Sequence, residues 1–313
     1  MNVDATSIFG NTNKNYFSLG QYDLFITSQI TDKVSFLGET VFKYENRFNV
    51  NIERAIIKYQ FKDYFNLSVG KVYTPLGYWN NAFHHGLVLQ PTISRPQIVQ
   101  EDYDGGGLPL EENAAVQLNG EGITKMNFGY NLMVGNGIAS SPVDDFNNSK
   151  SVCLNIHAEP VENLKFYISG YKDDVPKGAT TLQGILLTQK TNLQILNGSI
   201  AYMDGRLPIE FAGEFYNLKT TNPDSNITTS SNGYFLYLGY KIKKINIVPY
   251  LYYSKLDFDN NELFFAKTNT SSIVFGLRYK MHPLSVIKLE YKYSESKMSG
   301  NQNSIVLQFA IGF

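Results

Sequence analysis

The sequence is poor in the features that define several common classes of protein. It has one cysteine, Cys153, which leaves no pair for an intrachain disulfide. It has no run of about 18 apolar residues, the length at which a transmembrane helix becomes a candidate. Its 27 basic and 28 acidic residues nearly cancel, so no excess of positive charge indicates a nucleic-acid partner. Disulfide scaffolds, helical membrane proteins and nucleic-acid-binding proteins are therefore disfavoured.

Aromatic residues are abundant but uneven in type. The chain has 22 Tyr and 21 Phe but a single Trp. Tyrosine joins an apolar ring to a polar hydroxyl, which suits barrel walls and membrane interfaces. Helical periodicity is nearly absent, and short segments that alternate apolar and polar residues recur between clusters of turn residues. Composition and periodicity together indicate an all-β protein.

The last ten residues, 304–313, show the strictest alternation. Small or polar residues fill the even positions, and every odd position is large and apolar: Ile305, Leu307, Phe309, Ile311 and Phe313. A strand of about ten residues tilted by about 45° crosses a bilayer. One apolar face and one polar face suit a wall between lipid and water. We therefore expect the odd residues to face lipid, although the final strand of a soluble β-sandwich is the other interpretation of this segment.

Similar alternation along the whole chain predicts about sixteen strands. Short turns, about two to five residues long, alternate with longer polar loops such as residues 220–232. This arrangement predicts one domain, residues 1–313, folded as a transmembrane antiparallel up-and-down β-barrel with short periplasmic turns and long extracellular loops. The predicted strands are 3–9, 16–30, 34–44, 49–61, 65–73, 114–118, 124–134, 151–158, 164–171, 192–203, 208–218, 233–242, 246–256, 271–281, 285–294 and 304–313.

Three local features add detail to this barrel. Pro249 lies inside a predicted strand and cannot donate a ladder hydrogen bond, so we expect a bulge or a local gap there. Glu53 falls on the apolar side of its strand, so it either lies above the hydrocarbon band or marks a bulge. The chain does not open with a basic segment followed by an apolar run, so we expect a signal peptide to be absent from this sequence, with Met1 as an added residue.

Several short segments resemble a family of outer-membrane porins common in Bacteroidetes. They are FLGE at 36–39, IERAIIKY at 52–59, VGKVYTPLGYWN at 69–80 and HHG at 84–86. The terminal Phe313 resembles the signal that the barrel-assembly machinery recognises in porin strands. The resemblance implies a sixteen-stranded diffusion pore in the outer membrane of a Gram-negative bacterium, in contact with the lipid bilayer and lipopolysaccharide. By analogy with such porins, we also expect a homotrimer.

The longest connection, residues 74–113, contains four prolines and the triple glycine 105–107. Connections of this length are usually functional. By strand count it is the third extracellular loop, which in porins of similar architecture folds inward and narrows the pore. Its apolar residues also favour burial against the inner wall: Leu87, Val88, Leu89, Ile93, Ile98 and Val99. The other interpretation is a lid over the outer rim.

Alternation also predicts which charged side chains line the pore. A charge costs roughly 2–4 kcal/mol on the lipid face at the bilayer midplane but is tolerated in a wet lumen. The predicted pore-lining or constriction residues are Asp23, Glu39, Arg54, Glu214 and Lys292 at mid-height, Lys58, Arg278 and Lys288 nearer the periplasm, and Arg95, Glu101, Asp102, Asp104, Glu111 and Glu112 in the long loop. If the acidic loop faces Arg54 and Lys292, the pore carries mixed charge and passes small polar solutes and ions with weak discrimination.

Metal, cofactor and enzyme hypotheses have little support in the sequence. His84 and His85 are adjacent, so on an extended chain they point to opposite sides and make a poor ligand pair. Ser94, His85 and Asp102 provide the residue types of a hydrolase triad, but no nucleophile-elbow motif surrounds Ser94. Cys153 and His157 stand four residues apart on a strand, about 13 Å, too far to share a metal. We therefore expect a non-enzymatic passive porin without a cofactor; the alternatives are a non-conducting cell-surface binding or adhesion barrel and an outer-membrane hydrolase.

Overall fold

The chain folds into one closed β-sheet. The computed structural model describes residues 1–10, 14–44, 48–83, 86–100, 107, 112–137, 149–180, 186–265, 269–297 and 300–313, with the backbone alone for 2–5, 7–10, 14 and 44. The strands in these residues form a single sheet of seventeen segments. Two of the segments belong to one strand interrupted at Gly20, so the sheet is a barrel of sixteen strands.

The strands are numbered in chain order. They are β1 (Asn2–Gly10), β2 (Lys14–Leu19 and Gln21–Gln29), β3 (Val34–Tyr44), β4 (Phe48–Lys62), β5 (Phe65–Tyr73), β6 (Glu112–Gly120), β7 (Gly129–Gly135), β8 (Ser151–Val161), β9 (Leu164–Val175), β10 (Thr191–Tyr202), β11 (Ile209–Asn222), β12 (Ile227–Tyr240), β13 (Ile247–Asp257), β14 (Thr270–His282), β15 (Ser285–Ser296) and β16 (Gly300–Ile311). A short helix, α1 (Tyr78–Phe83), and a 3-10 turn (Gln97–Val99) lie between β5 and β6. No helix in the described part of the chain has the length and apolar character needed to span a membrane.

Each strand pairs antiparallel with its neighbours in sequence, and β1 closes the ring. It pairs with β16 from Asn2↔Ala310 to Gly10↔Gln302. The amino group of Met1 donates a hydrogen bond to the carbonyl oxygen of Ile311 at 3.0 Å. The last strand therefore closes the sheet against the first, as the predicted β-barrel requires. Both termini lie at one end of the barrel, here called the terminal end, and the opposite end is the loop end.

The side chains of β16 alternate as the sequence predicts. Leu307 and Phe309 are 46% and 40% exposed, whereas Gln308 and Ala310 are 2% and 1% exposed. The odd residues therefore point away from the barrel interior and the even residues point into it. Large apolar side chains are exposed in the same way on the other strands, including Leu196, Leu236 and Phe275. The result is an apolar outer surface around the barrel, which is the surface that a bilayer covers.

Two single-residue irregularities change the alternation. In β2, Phe17 points outward because it pairs with Ala5, which in turn pairs with the outward Leu307. Gly20 then separates the two segments, and Phe25, an odd residue, points inward opposite Glu39. The prediction of one uninterrupted alternating strand over 16–30 is therefore wrong at this point, because the extra residue exchanges the two faces.

Glu53 is the extra residue of a β-bulge. Glu39 pairs with Arg54 and the next residue, Thr40, pairs with Ile52, so Glu53 has no partner in the ladder between β3 and β4. The bulge buries its side chain, which is 7% exposed. Of the two predicted explanations for Glu53, the bulge is confirmed.

Pro249 produces a gap on one side only. It keeps its register with Leu277 of β14, and no shift occurs there. The continuous pairing of β13 with β12, however, includes only Tyr250 and later residues, so it stops next to the proline without reaching it. A residue without a backbone N–H therefore stands where one ladder ends, and the predicted local gap is confirmed.

Several connections differ from the predicted turns and loops. Residues 220–232 are not a long polar loop, because β11 and β12 continue to Asn222 and from Ile227, with threonine side chains paired between them. Threonine is β-branched and favours strands even where it is polar. At the terminal end, β7 begins at Gly129 rather than at residue 124, because Asn127 has a φ of 48° and its N–H closes a turn onto the carbonyl of Thr124.

Candidate functional site: the barrel interior

The described residues of the long connection between β5 and β6 that precede residue 101, 74–83 and 86–100, are here called the inner segment, and they lie against the inside of the barrel wall. Trp79 of α1 is 2% exposed and Ile98 is fully buried. The two residues meet inward-facing positions on β12, where Trp79 packs edge-on against Phe235 and the Ile98 side chain occupies the space beside Gly233. Leu89, which the sequence predicts to be buried, is instead 63% exposed.

The first attachment of the inner segment is the carboxylate of Glu214 on β11. It accepts hydrogen bonds from the backbone N–H groups of Tyr78 at 3.0 Å and Trp79 at 2.5 Å. The first N–H groups of a helix have no partner within the helix, so a carboxylate is well suited to satisfy them. Ser199 and Tyr216 also donate to Glu214, at 2.9 and 2.7 Å. The side chain is 3% exposed, so this charge stabilises the start of α1 and does not face open solvent.

A second carboxylate, Glu290 on β15, holds the middle of the inner segment. It accepts the backbone N–H of Ile93 at 2.6 Å and that of Ser94 at 2.9 Å. The hydroxyls of Ser94 and Tyr250 complete its shell, each at 2.7 Å. Because the Ser94 hydroxyl donates to a buried carboxylate, this serine is engaged in attachment, while its two candidate triad partners, His85 and Asp102, lie outside the described residues.

Two cations hold carbonyl groups of the same segment. Arg278 on β14 donates to the carbonyl of Pro91 at 3.1 Å, and Lys288 on β15 donates to that of Leu87 at 2.6 Å. The remaining charge of Arg278 is paired with Glu210 on β11 at 2.6 Å. Arg278 and Lys288 are 3% and 0% exposed. Both residues thus bind the backbone of the inner segment and present little charge to the open part of the lumen.

The opposite part of the wall is uncovered. Phe25, Thr27 and Gln29 of β2 point inward, because they pair with Glu39, Leu37 and Ser35. Phe25 is nevertheless 53% exposed, and Thr27 and Gln29 are also exposed. Inward-facing residues that remain exposed border open space inside the barrel. These three residues are called the open strip.

Arg54 borders the open strip. Its Nε donates to Glu39 at 2.7 Å, and its guanidinium lies 4.3 Å from the ring centre of Tyr73 and 5.4 Å from that of Phe25. The hydroxyl of Tyr73 also donates to Glu39, at 2.8 Å. An ion pair and two ring faces therefore fix the position of this cation. The Arg54 side chain keeps 23% of its surface exposed.

The other predicted site residues are distributed around the wall. Asp23 accepts a hydrogen bond from Gln21, and Glu112 pairs with Lys71 at 2.5 Å. Lys58 and Lys292 are partly buried, and Arg95 offers its carbonyl oxygen to the hydroxyl of Tyr252. The remaining candidates, together with His84, lie outside the described residues: Glu101, Asp102, Asp104 and Glu111.

Sequence reasoning missed Glu210 and the role of Glu214 and Glu290 as attachments. Glu210 and Glu214 stand four residues apart on one strand, so both point inward. That spacing was a usable signal for two buried carboxylates, but it does not reveal their partners on the inner segment. No group of three or more His, Cys, Asp or Glu side chains within the described ranges is placed to hold a metal ion.

Comparison with solved structures places the barrel among known folds. The anion-selective porin of Comamonas acidovorans is similar with a TM-score of 0.70 over 100% of this chain and 97% of the porin, at 9% identity. OmpT of Vibrio cholerae, an outer membrane protein in its trimer form, gives 0.67 over 98% and 96%, at 12% identity. The outer membrane channel DcaP of Acinetobacter baumannii gives 0.64 over 99% and 95%, at 12% identity. No protein-family model and no curated protein matches the sequence. The chain has the fold of the outer-membrane porins, an antiparallel up-and-down β-barrel of sixteen strands.

Proposed function

We propose that the protein is an outer-membrane porin that forms a water-filled passage for small polar solutes and ions. The observation that carries this proposal is the open strip. Its three inward-facing residues remain exposed although the inner segment covers the opposite wall. A polar passage inside an apolar outer surface is the arrangement that lets solutes cross a bilayer by diffusion. The similar solved structures, which include an anion-selective porin and an outer membrane channel, support the same function.

The proposed location is the outer membrane of a Gram-negative bacterium, with the terminal end facing the periplasm. Phe313, which is 89% exposed, is available for recognition by the barrel-assembly machinery, and its ring stacks on Tyr22 at 6.2 Å. A homotrimer in contact with lipid and lipopolysaccharide is the proposed assembly, supported by the trimer form named for OmpT of Vibrio cholerae. The segments at 36–39, 52–59 and 69–80 favour the Bacteroidetes type of porin.

The proposed constriction lies between the inner segment and the open strip. Arg54 supplies a fixed cation there, and Asp23 supplies an acid on the same strand as the strip. Because charge of both signs borders the passage, weak selectivity between anions and cations is expected. The diameter of the proposed constriction then depends indirectly on the residues that hold the inner segment in place: Glu214, Arg278 and Lys288.

Planar-bilayer recording tests the proposed function. Purified protein should insert with stepwise increases in current, and the unitary conductance should rise in proportion to salt concentration, as a water-filled pore requires. Heat-denatured protein from the same preparation is the control. Silence across several independent preparations of folded protein would contradict the porin function.

One observation favours a second candidate, a non-conducting binding or adhesion barrel. The inner segment is attached to β11, β14 and β15 by charged side chains and occupies space inside the barrel on that side. If the same recordings show folded, inserted protein without conductance, this alternative takes the place of the porin.

A further inference from the structure

A polar recess lies on the inner wall at the terminal end of the barrel, away from the open strip. Its volume is about 370 Å³, which is within the range of small-molecule sites. Without a ligand, a space of this size holds about a dozen waters. Asn81 of α1 borders it on the side of the inner segment, and the connection between β6 and β7 borders it at the terminal end. We call this recess the alcove; the residues that line it are Asn81, Glu121, Asn127, Asn131, His157, Ala158, Glu159, Lys165 and Tyr167.

Lys165 and the carboxylates of Glu121 and Glu159 line the alcove, and Lys165 forms no ion pair with either carboxylate. Lys165 lies on β9 opposite the end of β8 that carries Glu159. Among the described residues, the Lys165 ammonium makes no hydrogen bond or ion pair. Glu159 accepts the backbone N–H of Asn163 at 2.6 Å and the amide of Asn127 at 3.4 Å, and Glu121 is hydrogen-bonded to Nε2 of His157 at 2.8 Å. The alcove therefore offers one uncommitted cation and two carboxylates that keep further acceptor capacity.

The aromatic residues of the alcove are already covered. His157 stacks on Tyr167 with ring centres 5.1 Å apart and an interplanar angle of 20°. Tyr78 of α1 packs against the same tyrosine at 5.5 Å. The ring of Tyr167 is therefore already engaged by one stacked and one tilted aromatic neighbour. Its hydroxyl, which has no hydrogen-bond partner among the described residues, remains a polar contact for a ligand.

We propose that the alcove binds a zwitterionic solute of the amino-acid or short-peptide class. The solute carboxylate binds the Lys165 ammonium and the Tyr167 hydroxyl, and its ammonium group binds the carboxylates of Glu121 and Glu159. The amides of Asn81, Asn127 and Asn131 each make one hydrogen bond within the protein and keep further donor and acceptor capacity for the peptide groups between the charged ends. A simple anion would meet two carboxylates and a simple cation would meet Lys165, so a ligand of both signs matches the charges best. The proposal goes beyond passive diffusion and does not depend on conduction.

Diglycine, observed by saturation-transfer NMR with folded protein in detergent micelles, is the probe for this site. Two analogues remove one charge each: N-acetyl-diglycine lacks the ammonium and diglycinamide lacks the carboxylate. Each should bind at least about tenfold more weakly than diglycine, since one charged contact is worth about that factor. Equal binding of all three compounds, or preferential binding of either analogue, would overturn the zwitterion assignment.

Lys165→Gln locates the site. The substitution should weaken diglycine by at least about tenfold and should not weaken diglycinamide, because the analogue has no carboxylate to lose and its ammonium no longer meets a like charge. Lys125→Gln, on the connection between β6 and β7 but outside the alcove lining, is the matched control and should change neither. Unchanged diglycine binding in Lys165→Gln would place the ligand elsewhere. If that variant fails to fold, the analogue series on the wild-type protein decides alone. If the protein binds diglycine but does not conduct, the porin function is contradicted and the proposal of a zwitterion site in the alcove is still supported.

Discussion

Glu214 is the residue on which the position of α1 depends most directly. Its buried carboxylate receives two backbone N–H groups from the inner segment and hydroxyls from Ser199 and Tyr216. A carboxylate in such a site is stabilised only as long as its donors stay in place, and its donors are orphaned if it is lost. The buried carboxylate and the N–H groups of the inner segment therefore stabilise each other, and neither is satisfied without the other.

Glu214→Gln should destabilise the folded protein by about 2–4 kcal/mol. The substitution keeps the shape of the side chain but replaces one acceptor oxygen with an NH2 group that faces the donors of Tyr78 or Trp79. Urea unfolding of the protein in lipid vesicles measures the change. Glu162→Gln, in an exposed turn at the terminal end, should shift stability by less than about 0.5 kcal/mol. Equal shifts for the two variants would show that Glu214 is not an attachment point.

Arg54→Glu tests the proposed constriction. Replacing the cation beside the open strip should move the reversal potential in a salt gradient toward cation selectivity, because a fixed charge near the narrowest section sets the local ion concentration. Arg54→Gln should move the reversal potential by a smaller amount in the same direction. This variant provides an independent test because it places no new acid beside Glu39. Arg206→Glu, on an 88% exposed side chain at the terminal rim, is the control. A reversal potential that stays at the wild-type value in both Arg54 variants would remove Arg54 from the constriction.

At the scale of elements, the contact between the inner segment and β12 depends on one small residue. A Cβ added at Gly233 would meet the side chain of Ile98 at less than contact distance. This close approach lets the 3-10 turn, Gln97–Val99, lie directly on the wall. Ile98 thereby contributes to packing at the end of the inner segment farthest from α1.

Gly233→Val should displace the inner segment while the strands stay paired. Overpacking of this kind costs typically 1–3 kcal/mol, and the segment can relieve it by moving toward the open strip. We expect a lower unitary conductance, recorded in planar bilayers, with an unchanged β-sheet spectrum. Gly198→Val, on β10 where a Cβ meets nothing within 4 Å, is the matched control and should conduct like the wild type. Unchanged conductance in Gly233→Val would show that the position of Ile98 does not affect the passage.

The strands were largely predictable because a period of two residues is a local property of the sequence. The boundaries of β3 and β5 agree with the prediction, whereas β12 extends farther because its threonines have strand propensity as well as polarity. The exchange of faces at Gly20 becomes evident only in the structure, where the Phe17 side chain points outward and the Phe25 side chain points inward. The attachments could not be predicted, since Glu290 and Ile93 are brought together by barrel closure and not by any local pattern.

At the scale of the whole molecule, the two halves of the wall have different access to water. Many inward-facing residues of β11 to β15 are buried, as Ser254 on β13 is. Those of the open strip on β2 remain exposed. The proposed passage is therefore off-centre, running beside the N-terminal strands.

Cysteine labelling tests this asymmetry. Thr27→Cys should react quickly with a charged, membrane-impermeant thiol reagent, and the adduct should lower the conductance because it occupies the passage. Ser254→Cys, at a fully buried inward-facing position, should react far more slowly. The native Cys153 is fully buried, so the background of the unmodified protein should be low. Similar labelling rates at residues 27 and 254 would contradict an off-centre passage.

The attachments of the inner segment also determine when it can reach its final position during assembly. Tyr78 and Glu214 are separated by 136 residues, and Ile93 and Glu290 by 197. Contacts that close such long loops cost chain entropy before they provide any stabilisation, and here the acceptors are on strands formed from the last part of the chain. We therefore expect the inner segment to dock only after the wall has formed. In a newly closed barrel, Glu214 and Glu290 would lack their backbone partners from the inner segment, whereas Arg278 would keep its ion pair with Glu210, so the docking of the segment is expected as a late folding event.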